Sequence, residues 1–104
     1  MMKIELNEAN FMKIFSVYRS INRSHRKTPS FDEVNKIIIE KGNYEFIAGP
    51  KENWTSKLEF KNINNECYVD FVINENNTSL KIIKHLNELR EKFLIELDLI
   101  YKDG

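Results

Sequence analysis

The hydrophobic period of this chain changes twice, from helical to alternating after Gly42 and back to helical beyond Asn77. Apolar residues three or four apart line one face of a helix, and apolar residues two apart line one face of a strand. A chain that does both in separate blocks must pack helices against a sheet, which is the α+β class.

Residues 8–24 read as a first helix, with Phe11, Ile14, Phe15, Tyr18 and Ile21 on one face. Asn7 stands where an N-cap belongs, and Glu8 beside it suits the positive end of the helix dipole. The alternation of Ile4 and Leu6 leaves open a short strand ahead of that helix. Pro29 breaks the pattern, because the residue before a proline avoids helical geometry. Ser30 and Glu33 then have the spacing of a capping box, Phe31, Val34, Ile37 and Ile38 form a second apolar face, and Gly42 is the expected stop.

Three alternating segments follow. Tyr44, Phe46 and Ala48 share a face; Leu58 and Phe60 alternate with Lys57, Glu59 and Lys61; Cys67, Val69, Phe71 and Ile73 alternate with Tyr68, Asp70 and Val72. Ile63-Asn64-Asn65-Glu66 has the composition of a tight hairpin, since asparagine tolerates positive φ. Thr78 or Ser79 caps a last helix over residues 80–101, whose stripe is Ile82, Leu86, Leu89, Phe93, Leu97 and Ile100. The expected order is α-α-β-β-β-α: one domain over residues 1–104, with an antiparallel three-stranded meander packed on helices. Such a sheet leaves one face partly open.

At 104 residues the chain has room for one core and can fold without staples. Cys67 is its only cysteine, so no internal disulfide forms, and no apolar run approaches the ~20 residues of a membrane span. With no basic-then-apolar leader, the expectation is a cytoplasmic protein. Abundant Asn, Ile and Lys reflect A/T-rich codons, as in a bacterial accessory gene.

The net charge of zero conceals segregation: residues 1–27 carry six bases against two acids, and residues 28–78 carry five against nine. The basic excess gathers at Arg19, Arg23, His25, Arg26 and Lys27, a footprint suited to phosphates. The helix after it bears Asp32, Glu33 and Glu40, however, and a recognition helix should present donors to bases and phosphates. Two histidines and one cysteine show no nucleophile–base, metal-ligand or phosphate-loop spacing, so no catalysis, metal or cofactor is expected.

The acidic excess is spread over strands. Glu45, Glu59 and Asp70 fall on the side opposite the apolar alternation, Tyr68 shares that side, and Trp54 lies in the loop before the second strand. Tyrosine and tryptophan are favoured at binding hot spots, and acids speed association with a basic partner. These residues point to a non-catalytic protein-binding protein, an inhibitor or antitoxin-like immunity protein that covers the basic active site of a toxin such as a nuclease. The alternative is a small nucleic-acid-binding regulator using Arg19, Arg23, Arg26 and Lys27. A third is self-association through the last helix.

Overall fold

The computed structural model describes residues 1–22, 27–47, 49 and 51–102. In chain order its elements are β1 (Met2–Ile4), α1 (Glu8–Ile21), α2 (Phe31–Lys41), β2 (Asn43–Ile47), β3 (Ser56–Ile63), β4 (Glu66–Ile73), a 3-10 turn (Glu75–Asn77) and α3 (Leu80–Lys102). The sheet has four strands in the order β1-β4-β3-β2, all neighbours antiparallel. The expected meander is therefore present as β2-β3-β4, and the expected strand count is corrected from three to four. Three residues are too few to display a period of two. β1 exists because Met2 and Ile4 lie opposite Val69 and Cys67 across the β4 edge.

Local chemistry sets most of the boundaries. Asn7 Oδ1 accepts from the Asn10 N–H at 2.8 Å and opens α1, while Ser30 Oγ accepts from the Glu33 N–H at 3.2 Å and opens α2. Gly42 ends α2 at φ +82°, the left-handed geometry that suits glycine. Ser79 Oγ takes the Ile82 N–H at 3.4 Å at the start of α3. In the β3–β4 hairpin Asn64 and Asn65 both have positive φ, 53° and 66°, as a two-residue primed turn requires.

The core lies between the helices and one face of the sheet. Phe11, Ile14, Phe15 and Tyr18 of α1 are buried with Val34 and Ile38 of α2, Phe93 and Leu97 of α3, and Leu58, Phe60, Val69 and Phe71 of the strands. Several rings meet edge to face, as their quadrupoles prefer: Phe15 against Phe46 at 5.1 Å, Tyr18 against Phe93 at 6.0 Å. The buried Tyr18 hydroxyl accepts from Asn22 Nδ2 at 3.1 Å, and the same amide donates to Ser56 Oγ at 3.1 Å, so this polar end of the core is satisfied. Ile82, assigned above to the apolar stripe of α3, is 46% exposed, because it precedes the stretch of helix that meets the core. Among the described residues, no helix is long and apolar enough to cross a membrane.

Candidate functional site

The sheet face opposite the core carries the acidic strand residues and Tyr68 singled out by the sequence. The registers arrange that face in cross-strand rows. Glu45 pairs with Glu59 and Glu59 with Asp70, so the three carboxylates form one row over β2, β3 and β4. On one side lies the row Lys3, Tyr68, Lys61 and Asn43; on the other lie Val72, Lys57 and Ile47.

The phase of the hydrogen bonds brings two of the acids especially close. Asn62 N–H donates to the Gly42 carbonyl at 2.8 Å, which makes Gly42, Tyr44 and Phe46 the residues bonded to β3. Glu45 and Glu59 are then a non-hydrogen-bonded pair, the type with the shorter Cα separation and the closer side chains. Like charges directly opposite each other destabilise a sheet by a few tenths to about 1 kcal/mol.

Cations from within the chain compensate this row. Lys57 Nζ donates to Glu45 Oε1 at 2.9 Å, and Lys61 Nζ lies 3.4 Å from Glu59 Oε1. The hydrogen bond from Lys57 holds the Glu45 carboxyl below the usual carboxylate range. Glu59 is buried on this nominally open face, under the long side chains around it. Beside the row, Lys3 Nζ and the Tyr68 hydroxyl both donate to Glu66, each at 2.9 Å. The bond from Lys3 lowers the Glu66 carboxyl, and the bond to Glu66 raises the Tyr68 phenol.

Asp70 has a separate task. β4 extends past the end of β1, leaving the outward backbone groups of Phe71 without a strand partner. Asp70 Oδ1 accepts the Phe71 N–H at 2.9 Å, Arg90 Nε donates to the Phe71 carbonyl at 3.0 Å, and Arg90 Nη2 donates to Asp70 Oδ1 at 3.1 Å. This clamp closes the edge and ties α3 to β4. The acidic fringe is thus a compensated one, in which Lys3, Lys57, Lys61 and Arg90 answer Glu66, Glu45, Glu59 and Asp70. Lys57 and Lys61 were legible as face residues from their alternation with Leu58 and Phe60. Arg90 was not, because nothing in the period of α3 shows that its guanidinium reaches a strand.

Trp54 stands at the margin of this face. It is half-buried, with Lys57 Nζ 4.5 Å from its ring centroid and its carbonyl accepting from Asn74 Nδ2 at 3.0 Å. The structure therefore brings Glu45, Glu59, Tyr68 and Asp70 onto one face and sets Trp54 at its margin, joined through Lys57.

Arg23 and Arg26, with His25, lie outside the described residues. Arg19 Nη1 donates to Thr28 Oγ1 at 2.9 Å, which ties α1 to the segment before α2, and Lys27 is exposed. Elsewhere, a groove of about 600 Å³ runs between β1 and α2 past Ile38, Ile39, Asn62 and Cys67. Burial pushes the Cys67 thiol up to about 11, which removes it as a nucleophile near neutral pH. Among the described residues, no group of three or more His, Cys, Asp or Glu side chains could hold a metal ion. No protein-family model, curated protein or solved structure matches this chain.

Proposed function

We propose that this is a small non-catalytic protein-binding protein of the inhibitor or immunity type, acting in the cytoplasm, whose open sheet face covers a basic active site such as that of a nuclease toxin. The observation that carries this reading is the row Glu45–Glu59–Asp70, in which Glu45 keeps the open carboxylate while Glu59 is buried and Asp70 is held by Arg90, with Tyr68 beside the row and Trp54 at its margin. A line of opposed carboxylates costs the free protein stability that its own cations offset, and a partner's Lys and Arg side chains add to that compensation in the complex. Lys57 and Lys61 are the counter-ions within the chain. Lys61, with its side chain 43% exposed, can swing aside when a guanidinium, with its fixed fork of donors, takes the carboxylate, whereas Lys57, held against Trp54, shares Glu45 with the incoming group. Tyr68 and Trp54 add amphipathic surface of the kind that dominates binding energy.

The test is a pull-down with the wild-type chain followed by an activity assay on any basic protein recovered. Inhibition of that protein, weakened about tenfold or more by Glu45→Lys and by Tyr68→Ala, is the expected result. Inhibition that survives both changes removes the face from the mechanism.

A further inference from the structure

The outer edge of β2 has the chemistry of a strand-addition site. Because the Gly42 carbonyl and the backbone groups of Tyr44 and Phe46 turn to β3, the N–H and C=O groups of Asn43, Glu45 and Ile47 point away from the sheet. Among the described residues no strand pairs with that edge. Alongside it lies a groove of about 320 Å³, lined by Lys27, Pro29, Tyr44, Glu45, Phe46, Ile47 and Lys51. Exposed edges of this kind are templates for another chain, and added strands draw affinity from the backbone and specificity from alternate side chains.

Charge decides which chain fits. Glu45 is at the middle of β2, and its side chain remains 38% exposed although Lys57 bonds one oxygen. It ends the carboxylate row on this side, while Arg90 closes the other end at Asp70. A strand added to β2 sets one side chain directly opposite Glu45 on the open face. An acid there extends the repulsion, and a base ends it. A second copy of this chain, paired about a two-fold at Glu45, sets carboxylate against carboxylate and is disfavoured. The neighbouring side chains of the added strand point to the groove, where Pro29, Phe46 and the Tyr44 ring offer apolar surface and two bases, Lys27 and Lys51, outnumber the one acid, Glu45, and disfavour further bases.

We infer that β2 accepts an extended segment of a protein partner in which Lys or Arg alternates with apolar residues, the base opposing Glu45 and the apolar side chains entering the groove beside Phe46. This rests on the protein-binding reading and gives the partner its local form: a basic, alternating strand or strand-forming loop.

A blocked synthetic peptide alternating Lys and Val supplies the probe, with a scrambled peptide of equal composition as control. Titrated into the 15N-labelled protein, the alternating peptide is expected to shift the amides of Asn43, Glu45 and Ile47 and to slow their hydrogen exchange. The scrambled peptide binds about tenfold more weakly, as does the alternating peptide to Glu45→Lys. Ile47→Pro, which removes one outward N–H and is tolerated on a free edge, weakens binding while the rest of the spectrum is retained. Unchanged exchange at those three amides at the highest peptide concentration overturns the inference. So does protection that grows with protein concentration alone, which assigns the edge to a second copy. Shifts confined to Lys61, Tyr68 and Asp70 overturn strand addition while sparing the open-face reading. Edge protection that persists when Tyr68→Ala leaves partner inhibition intact supports strand addition and counts against that reading alone.

Discussion

Replacing Asp70 by alanine separates a structural carboxylate from a binding one. Its Oδ1 holds the Phe71 N–H and an Arg90 N–H at 2.9 and 3.1 Å, and the side chain is only 21% exposed. Hydrogen bonds to a charged group are worth about 1.5–3 kcal/mol each, and the bond to the backbone N–H is the harder one for water to replace. Arg90, at 34% exposure, recovers part of its loss by hydration. Removal of Asp70 also relieves its repulsion with Glu59, returning a few tenths to about 1 kcal/mol. The net expectation is a loss of about 1.5–2 kcal/mol, or a melting temperature lower by about 10 °C for a domain of this size. Asp70→Asn keeps an oxygen for Phe71 N–H and should lose about half as much. Urea unfolding followed by fluorescence of the single tryptophan and by far-ultraviolet circular dichroism measures both variants, with an unchanged slope confirming a pure stability effect. A cycle with Arg90→Ala should give a coupling energy above about 0.5 kcal/mol. An Asp70→Ala protein as stable as the wild type would refute the clamp and return Asp70 to the free binding surface.

Two further outcomes follow from local geometry. Gly42→Ala should cost about 1 kcal/mol by urea unfolding for conformational reasons alone, since φ is +82° and nothing lies within 4 Å of the added Cβ. A loss near zero would show that the α2 terminus relaxes out of the left-handed region. Cys67, with its thiol raised to about 11 by burial, should alkylate slowly in the folded protein and rapidly in denaturant. Because the fold retains that proton more tightly than the unfolded chain, the associated stability is complete below the ordinary value of 9.0 and is lost as pH climbs through about 11. Unfolding midpoints for wild type and Cys67→Ser at pH 8 and above 10 measure it, and parallel pH dependences would exclude Cys67 as the source.

The sequence by itself determined every element whose signal is local. The stripes of Phe11 to Tyr18 and Leu86 to Leu97 repeat at helical spacing, Ser30 and Gly42 bracket α2, and Asn64-Asn65 turns the hairpin. It also placed Glu45, Glu59, Tyr68 and Asp70 on the open face, because side chains along a strand alternate whatever the strand packs against. Only the tertiary structure decided what lies between strands. β1 needed the β4 edge, since three residues make no stable strand alone. The alignment of three carboxylates in one row depends on two registers, and a slip of one residue in either would scatter them. The compensation of that row came from Lys57 and Lys61 as neighbours along β3 and from Arg90 across the sheet edge. Charge counted along a chain ignores distance, whereas the energy of a charge depends on what lies within a few ångströms of it.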